Sequence, residues 1–278
     1  MKGMYLTSTG RIKMRLYSIA SGSSGNCIYV GDDNTHILID AGISKKRIEA
    51  GLNSIDLSIK DLDAVFVTHE HSDHIGGLGV LTRGCDAPVY ATKKTIQAIF
   101  RCSYLGKLDA ERFVSIDKDE PLSIGDITAE AMGISHDAAD PVAYRFFSGD
   151  KSIAVATDMG IVTEENEEKL KNMNAILLEA NHDVRMLETG PYPWDLKQRI
   201  LGALGHLSND IAGQLLGRIV SDKLQAVVLG HLSEENNLPA LAYETVRSEI
   251  TMADNEFKPS DFYITVANRR EPSSLVVV

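Results

Sequence analysis

The chain has 278 residues, 44% hydrophobic and 24% charged, an ordinary globular composition with length for one large domain or two small ones. With 28 Lys and Arg against 39 Asp and Glu, its formal net charge of −11 excludes bulk electrostatic capture of a polyanion, so any nucleic-acid contact must be local. No run reaches the roughly 18 apolar residues of a membrane helix, and Cys27, Cys85 and Cys102 form no CxxC pair, so we expect a soluble protein of a reducing cytoplasm with no membrane partner.

Residues 1–13 (MKGMYLTSTGRIK) carry no periodic pattern and are expected as a disordered extension ahead of the strand RLYSIA. From there to Thr157 the runs CIYV, HILID, AVFVT, PVYA, RFVSI, ITAEAM, VAYRFF and SIAVAT are short, β-branched or alternating, and bounded by Gly, Asp, Ser and Pro, which predicts strands. Ser44 is placed to cap a helix over KKRIEAGL, Ile75 to Leu81 predicts another, and Thr92 is placed to cap KKTIQAIF. Helical patterns at 164–172, 195–203 and 209–220 then alternate with the strands AILLE, AVVLG and FYITVA. No low-complexity or Pro/Gly-rich joint interrupts this mixture. One domain over residues 14–270, two packed sheets with helices outside and a C-terminal tail at 271–278, is the expectation. Two echoes stand out: ILIDAG and AVATDMG are apolar strands ending in Asp, and GHLS occurs twice, with Ser208 and Ser233 each placed to cap a following helix.

Directly after one strand comes VFVTHEHSDHIGG, with His69, His71, Asp73 and His74 within six positions. Residues i and i+2 point the same way on an extended segment and diverge by about 200° on a helix, so His69 and His71 grip one ion only from a strand end or loop. Asp73 and His74 fall where the chain turns toward a helix, which aims them elsewhere and leaves room for a second ion. The zincin pattern HExxH is not met, because Asp73 stands where its second His would be. A mixed His/Asp set without Cys suits zinc, manganese or iron.

THEHSDHIGG resembles the HxHxDH signature of the metallo-β-lactamase superfamily, and the resemblance extends through ordered positions from about Met14 to Arg270. It implies an α/β (α+β) fold, a four-layer αββα sandwich of two mixed sheets flanked by helices. It also implies two divalent metal ions, the first held by His69, His71 and His136 (GISHDA), the second by Asp73, His74 and His231 (VVLGHLS), with Asp158 (VATDMG) bridging. Asp40 in LIDAG matches the superfamily aspartate that orients the metal loop from behind the ligands.

The superfamily fold hosts several hydrolytic and redox chemistries, so the substrate must come from other residues. His71 stands where the di-iron flavoproteins commonly carry a carboxylate, which argues for hydrolysis. LLEANHD (177–183) and GHLSNDIAGQLL (205–216) resemble segments of ribonuclease Z-like nucleases, implying that His206, paired with Glu179, protonates a leaving oxygen, with Asp73 orienting the attacking water. SIASGSSGNCIYV and EANHDVRML followed by GPYPWDLKQRI closely resemble the YycJ/WalJ group of double-stranded DNA exonucleases acting 5′ to 3′, with Ala180 a departure from an expected Ser. That likeness makes DNA the expected partner at a metal cleft. Ser208 and Ser233, as caps of helices whose N-termini would face a phosphate, Ser23, Ser24 and Asn26 in SGSSGN, which is equally a backbone cradle for a phosphate or a hairpin turn, and His182 are the candidate substrate contacts. The interval from Asp158 to His206 is too short for a β-CASP insertion, and no long exosite arm of the ribonuclease Z kind is visible. The rival expectations are a small-molecule hydrolase of a cyclic phosphodiester or thioester, and a binding module that keeps metal for stability alone.

Overall fold

The computed structural model describes residues 13–278, so the extension expected at 1–13 lies, apart from Lys13, outside the described residues. The first six strands, β1 (Arg15–Ala20), β2 (Cys27–Gly31), β3 (His36–Ile39), β4 (Ala64–Phe66), β5 (Val89–Thr92) and β6 (Phe113–Ile116), follow one another across a first sheet. The next seven, β7 (Leu122–Ile124), β8 (Ile127–Gly133), β9 (Val142–Ser148), β10 (Lys151–Ala156), β11 (Ala175–Glu179), β12 (Ala226–Gly230) and β13 (Tyr263–Val266), follow one another across a second. A last strand, β14 (Val276–Val277), crosses back to pair antiparallel with β1. The segment expected as a tail is therefore part of the first sheet. Val276 and Val278 are buried in the inter-sheet core, which outweighs the loss of chain entropy at a terminus.

Each sheet is antiparallel on one side and parallel on the other: β3 to β6 run parallel, as do β10 to β13. Strand alternation builds the layers. Leu16, Ile28, Val30, Ile37, Ile39 and Phe66 face Tyr144, Phe146, Ile153, Val155, Leu177 and Val228 across the gap between the sheets. Their neighbours Tyr17, Ile19, Tyr29 and Leu38 face the outside of the first sheet, under α1 (Lys45–Asn53), α2 (Ser72–Ile75), α3 (Leu78–Thr82) and α4 (Lys93–Ile99). Ala154, Ile176, Leu178, Val227 and Leu229 face the outside of the second, where α5 (Glu164–Leu170), α6 (Val184–Thr189), α7 (Trp194–Leu201), α8 (Asn209–Ile219) and α9 (Pro239–Met252) lie along that half of the chain. Strands covered on both faces read as unbroken apolar runs, which is why AILLE and AVVLG carry no polar alternation. The architecture is the expected αββα sandwich. Burial of each large side chain contributes roughly 1.5–3 kcal/mol.

Local departures have local reasons. The helix expected from Ile75 to Leu81 is broken at Gly76–Gly77 into two short pieces, and Gly77 packs so closely that a Cβ on it would lie 1.9 Å from the Ile43 carbonyl oxygen. Thr92 caps α4 through the Thr95 amide, whereas Ser44 occupies the cap position of α1 without a side-chain bond. Ser208 caps α8 as expected, but no helix directly follows Ser233, whose hydroxyl instead accepts from Asn236 in a turn. Helix α9 was not legible in the sequence, because it buries only Ala242, Val246 and Ile250. Among the described residues no helix is long and apolar enough to cross a membrane.

Candidate metal centre

The C-terminal ends of β3, β4, β10, β11 and β12 deliver Asp40, the histidine motif, Asp158, Glu179 and His231 to one edge of the sandwich. Beneath them the two sheets are tied by the Tyr144 hydroxyl, which donates to the Val67 carbonyl at 2.8 Å. Phe66 packs edge-on against Tyr144 and Phe146, with centroids 5.0 and 5.7 Å apart. Three residues of the edge, Asp40 (φ 60°), Asp158 (φ 63°) and His231 (φ 56°), sit in the left-handed region. Such conformations cost on the order of 1–3 kcal/mol away from glycine and persist where surrounding contacts over-determine them. The echo between ILIDAG and AVATDMG is thus a repeated backbone device that turns an aspartate inward from a strand end.

Ligand-type atoms converge in overlapping sets, each within 4.8 Å: His69, His71 and His136; Asp73, His74 and His231; and His69, His74 and Asp158. All seven sequence-predicted ligands are therefore brought together. One ring nitrogen of each histidine lies against a polar partner at the margin of the cluster. His69 Nδ1 lies 3.0 Å from the Thr68 hydroxyl, His74 Nδ1 2.7 Å from Asp40 Oδ2, and His136 Nδ1 3.1 Å from the Gly205 carbonyl. His71 is held through Nε2, 3.2 Å from the Asp137 carbonyl, and His231 through Nδ1, 2.9 Å from Glu179 Oε1. His69 Nε2, His231 Nε2 and Asp158 Oδ2 are buried with no hydrogen-bond partner among the described residues. Unpaired buried polar atoms are costly, and an imidazole–carboxylate set that orphans three of them inward fits divalent cations.

The electrostatics agree. Burial pushes the His74 and His231 imidazoliums down, but nearby carboxylates, Asp158 foremost, more than reverse it, leaving His74 well above its usual range and His231 raised to about 10. Burial would raise Asp73 and Asp158, yet the neighbouring histidines hold both carboxyls below the ordinary range. His69, buried among three other imidazoles, is pushed well below its usual value.

Behind this cluster the Asp40 carboxylate accepts from the Thr68 amide (Oδ1, 2.9 Å) and hydroxyl (Oδ2, 2.9 Å) as well as contacting His74. Glu179 is fully buried, and all four of its contacts are N–H groups: His206 and His231 on Oε1, the Met159 and Leu207 amides on Oε2. The sequence pairs Glu179 with His206 alone. That it also holds His231 is visible only in three dimensions.

A cavity of about 220 Å³ opens over the cluster, lined by His71, Asp73, His136, Asp158, His206 and His231, with Ser23, Ser233, Tyr192, Leu196 and Arg199 at its walls. Of the candidate substrate contacts, Ser23 and Ser233 line it, and Ser24 is exposed and outside the lining. Asn26 is buried, with its amide nitrogen 3.0 Å from His74 Nε2 and its carbonyl oxygen accepting from the Gly22 amide, so it buttresses the ligand loop. His182 and Ser208 line a neighbouring cavity instead. Thr68 and Asp137 were not singled out in the sequence. Arg199 reaches Asp137 across the cavity mouth, a contact between residues 62 positions apart that no local pattern announces.

The family model for the β-lactamase superfamily domain matches residues 35–232, spanning the whole of this edge. The chain belongs to the β-lactamase superfamily. It is 44% identical over 239 residues to the exodeoxyribonuclease WalJ of Streptococcus pneumoniae, covering 86% of this chain and 89% of that one. It is 42% identical over 228 residues to the exodeoxyribonuclease YycJ of Bacillus anthracis, covering 82% and 86%. Among solved structures it resembles the metallo-β-lactamase fold protein YhfI from Bacillus subtilis, with a TM-score of 0.69 at 15% identity over 96% of this chain and 100% of that one. This superfamily member is an enzyme, a metal-dependent hydrolase of the WalJ/YycJ group, and its centre suits divalent metal ions.

Proposed function

We propose that the protein is a binuclear metal-dependent DNA exonuclease acting 5′ to 3′. The observation that carries this reading is the inward convergence of seven ligand-type side chains beside a carboxylate-held histidine, His206, in a chain 44% identical to WalJ. His69, His71 and His136 would hold one cation and Asp73, His74 and His231 the other, with Asp158 between them; zinc, manganese and iron all suit this set. When bound, such a pair supplies a water of lowered pKa and neutralises phosphate oxygens, and its positive charge draws DNA to an otherwise acidic protein.

The protein's own groups do the rest. Glu179, held ionised by His206 and His231 against the effect of burial, can only accept, so it fixes the proton on His206 Nδ1 and leaves Nε2 free at the cavity. Nε2 is then the group to protonate the departing oxygen. Asp73, partly exposed at the cavity floor, orients the attacking water, and Ser23, Ser233 and Arg199 stand where phosphate oxygens would lie. Two buried thiols, Cys27 and Cys85, and the half-buried Cys102 are all unpaired, which supports a reducing, cytoplasmic setting.

The test is a time course on 5′- and 3′-end-labelled duplexes with metal analysis of the same preparation. Stepwise loss of 5′ label as mononucleotide supports the reading. Turnover of cyclic phosphodiesters or thioesters with intact DNA would favour a small-molecule hydrolase instead.

A further inference from the structure

Two cavities meet at His206. The first is the metal-side cavity already described; the second, of about 580 Å³, shares no other lining residue with it and is bounded by His182, Arg185, Leu201, Ser208, Asp210 and Ile211. Helix α7 divides them, with Leu196, Arg199 and Ile200 toward the first and Leu201 toward the second. Lys197 anchors this partition by donating to the Glu188 carbonyl at 2.8 Å.

The second cavity has the features of a binding site. His182 is 1% exposed, its Nδ1 lies 3.3 Å from Asn181 Oδ1, and the residue lines the cavity. Ile211 and Leu201 line it while staying 42% and 41% exposed, an apolar surface that protein leaves uncovered. Three carboxylates, Asp183, Glu188 and Asp210, stand there against one guanidinium, Arg185. That balance disfavours a phosphate even though the α8 N-terminus is close, and it suits a neutral group carrying hydroxyl and amino donors on an apolar ring.

We propose that this second cavity receives the nucleoside whose oxygen departs when the phosphodiester is cut. The proposal rests on the nuclease reading above. In an in-line displacement the attacking water and the leaving oxygen stand on opposite sides of phosphorus, so a proton donor that borders both cavities separates the metal side from the leaving side. The water oxygen bonds to phosphorus, the P–O bond to the nucleoside breaks with its electron pair on oxygen, and His206 Nε2 delivers the proton. The proton lost by the attacking water restores the ring over the cycle. The cavity volume falls within the roughly 300–1,000 Å³ of small-molecule pockets, the scale of one nucleoside rather than a strand. Cleavage then comes one residue from an end; for 5′-to-3′ digestion the cavity takes only the sugar and base of the 5′-terminal unit, which leaves on its 3′-oxygen with its 5′-phosphate outside the acidic lining.

The experiment uses the full chain, chelator-treated, with saturation-transfer NMR of thymidine, alone and with inorganic phosphate. It compares wild type with Leu201→Trp and Ile211→Trp, whose partly exposed positions accept a larger side chain. Thymidine binding to wild type, undisplaced by phosphate and weakened about tenfold or more in both variants, is expected. With metal restored, KM for end-labelled duplex should rise in parallel while metal content and thermal midpoint match wild type. No thymidine binding by wild type, displacement by phosphate, or variants that bind and cut as wild type does would overturn the proposal. If wild type cuts no DNA yet binds thymidine in a variant-sensitive way, the nuclease reading fails and the cavity assignment is upheld.

Discussion

His206 and His231 share one acceptor: both Nδ1 atoms donate to Oε1 of Glu179, at 2.8 and 2.9 Å. One buried carboxylate thereby orients a ligand-type histidine and the proposed proton donor together. Glu179→Gln should therefore lower metal affinity, by about 10–100-fold for a group acting through a ligand, and turnover as well. His206→Ala should keep full metal content and slow turnover by about 10²–10⁴-fold, the usual range for a lost general acid. Metal analysis beside single-turnover rates separates the two. Equal rates for His206→Ala and wild type would remove His206 from the mechanism.

His71 is held by the Asp137 carbonyl and faces His69 and His136 in one ligand set. His71→Ala should lose metal and cleavage together. Chelation of wild type should do the same and lower the thermal midpoint, because a ligand that binds only the folded state stabilises it. Zinc or manganese added back should restore both to wild type but not to the variant.

Gly42 lies where the loop after Asp40 passes under the histidine motif, and a Cβ there would sit 1.6 Å from the Asp73 carbonyl oxygen and 2.8 Å from the Asn26 amide. Backbone must move to admit it. Gly42→Ala should displace Asp73 and His74 and reduce metal occupancy more than the global stability that denaturant melts report. Wild-type metal binding in this variant would show that the loop is looser than its contacts indicate.

His182 is buried, and burial first, with His206 adding to it against Glu179 and Asp183, lowers its pKa from 6.5 to about 4. A depressed histidine is protonated in the unfolded chain before the folded one, so its contribution is complete above pH 6.5 and is lost as pH falls toward 4. The shift corresponds to on the order of 3 kcal/mol. Denaturant melts of wild type and His182→Gln across that window should show a shallower fall for the variant. Parallel curves would mean His182 is not held neutral.

Deleting residues 276–278 should destabilise the protein by about 3–6 kcal/mol, the sum for two valines buried at 6% exposure. It also bares the β1 edge, so aggregation should rise with concentration in light scattering. A truncated chain as stable as the whole would make β14 an ornament of the sheet.

The sequence by itself determined the layered sandwich and the seven ligand-type residues that converge at its edge. Strands buried on both faces must be continuously apolar, and a chain that seats cations must carry imidazole and carboxylate at strand ends, so both leave local marks. HEHSDH is compact because one short segment supplies four of the groups. Tertiary structure alone decided that Glu179 serves two histidines, that Asn26 props His74, that Arg199 meets Asp137, and that His206 stands between two cavities. Those relationships join residues 27 to 62 positions apart. No spacing rule reaches so far, because a contact of that kind exists only once separate strands are brought to one edge by the packing of their apolar faces. The same reason hid β14 and α9, two valines and three spaced apolar residues whose burial is conferred by partners distant in the chain.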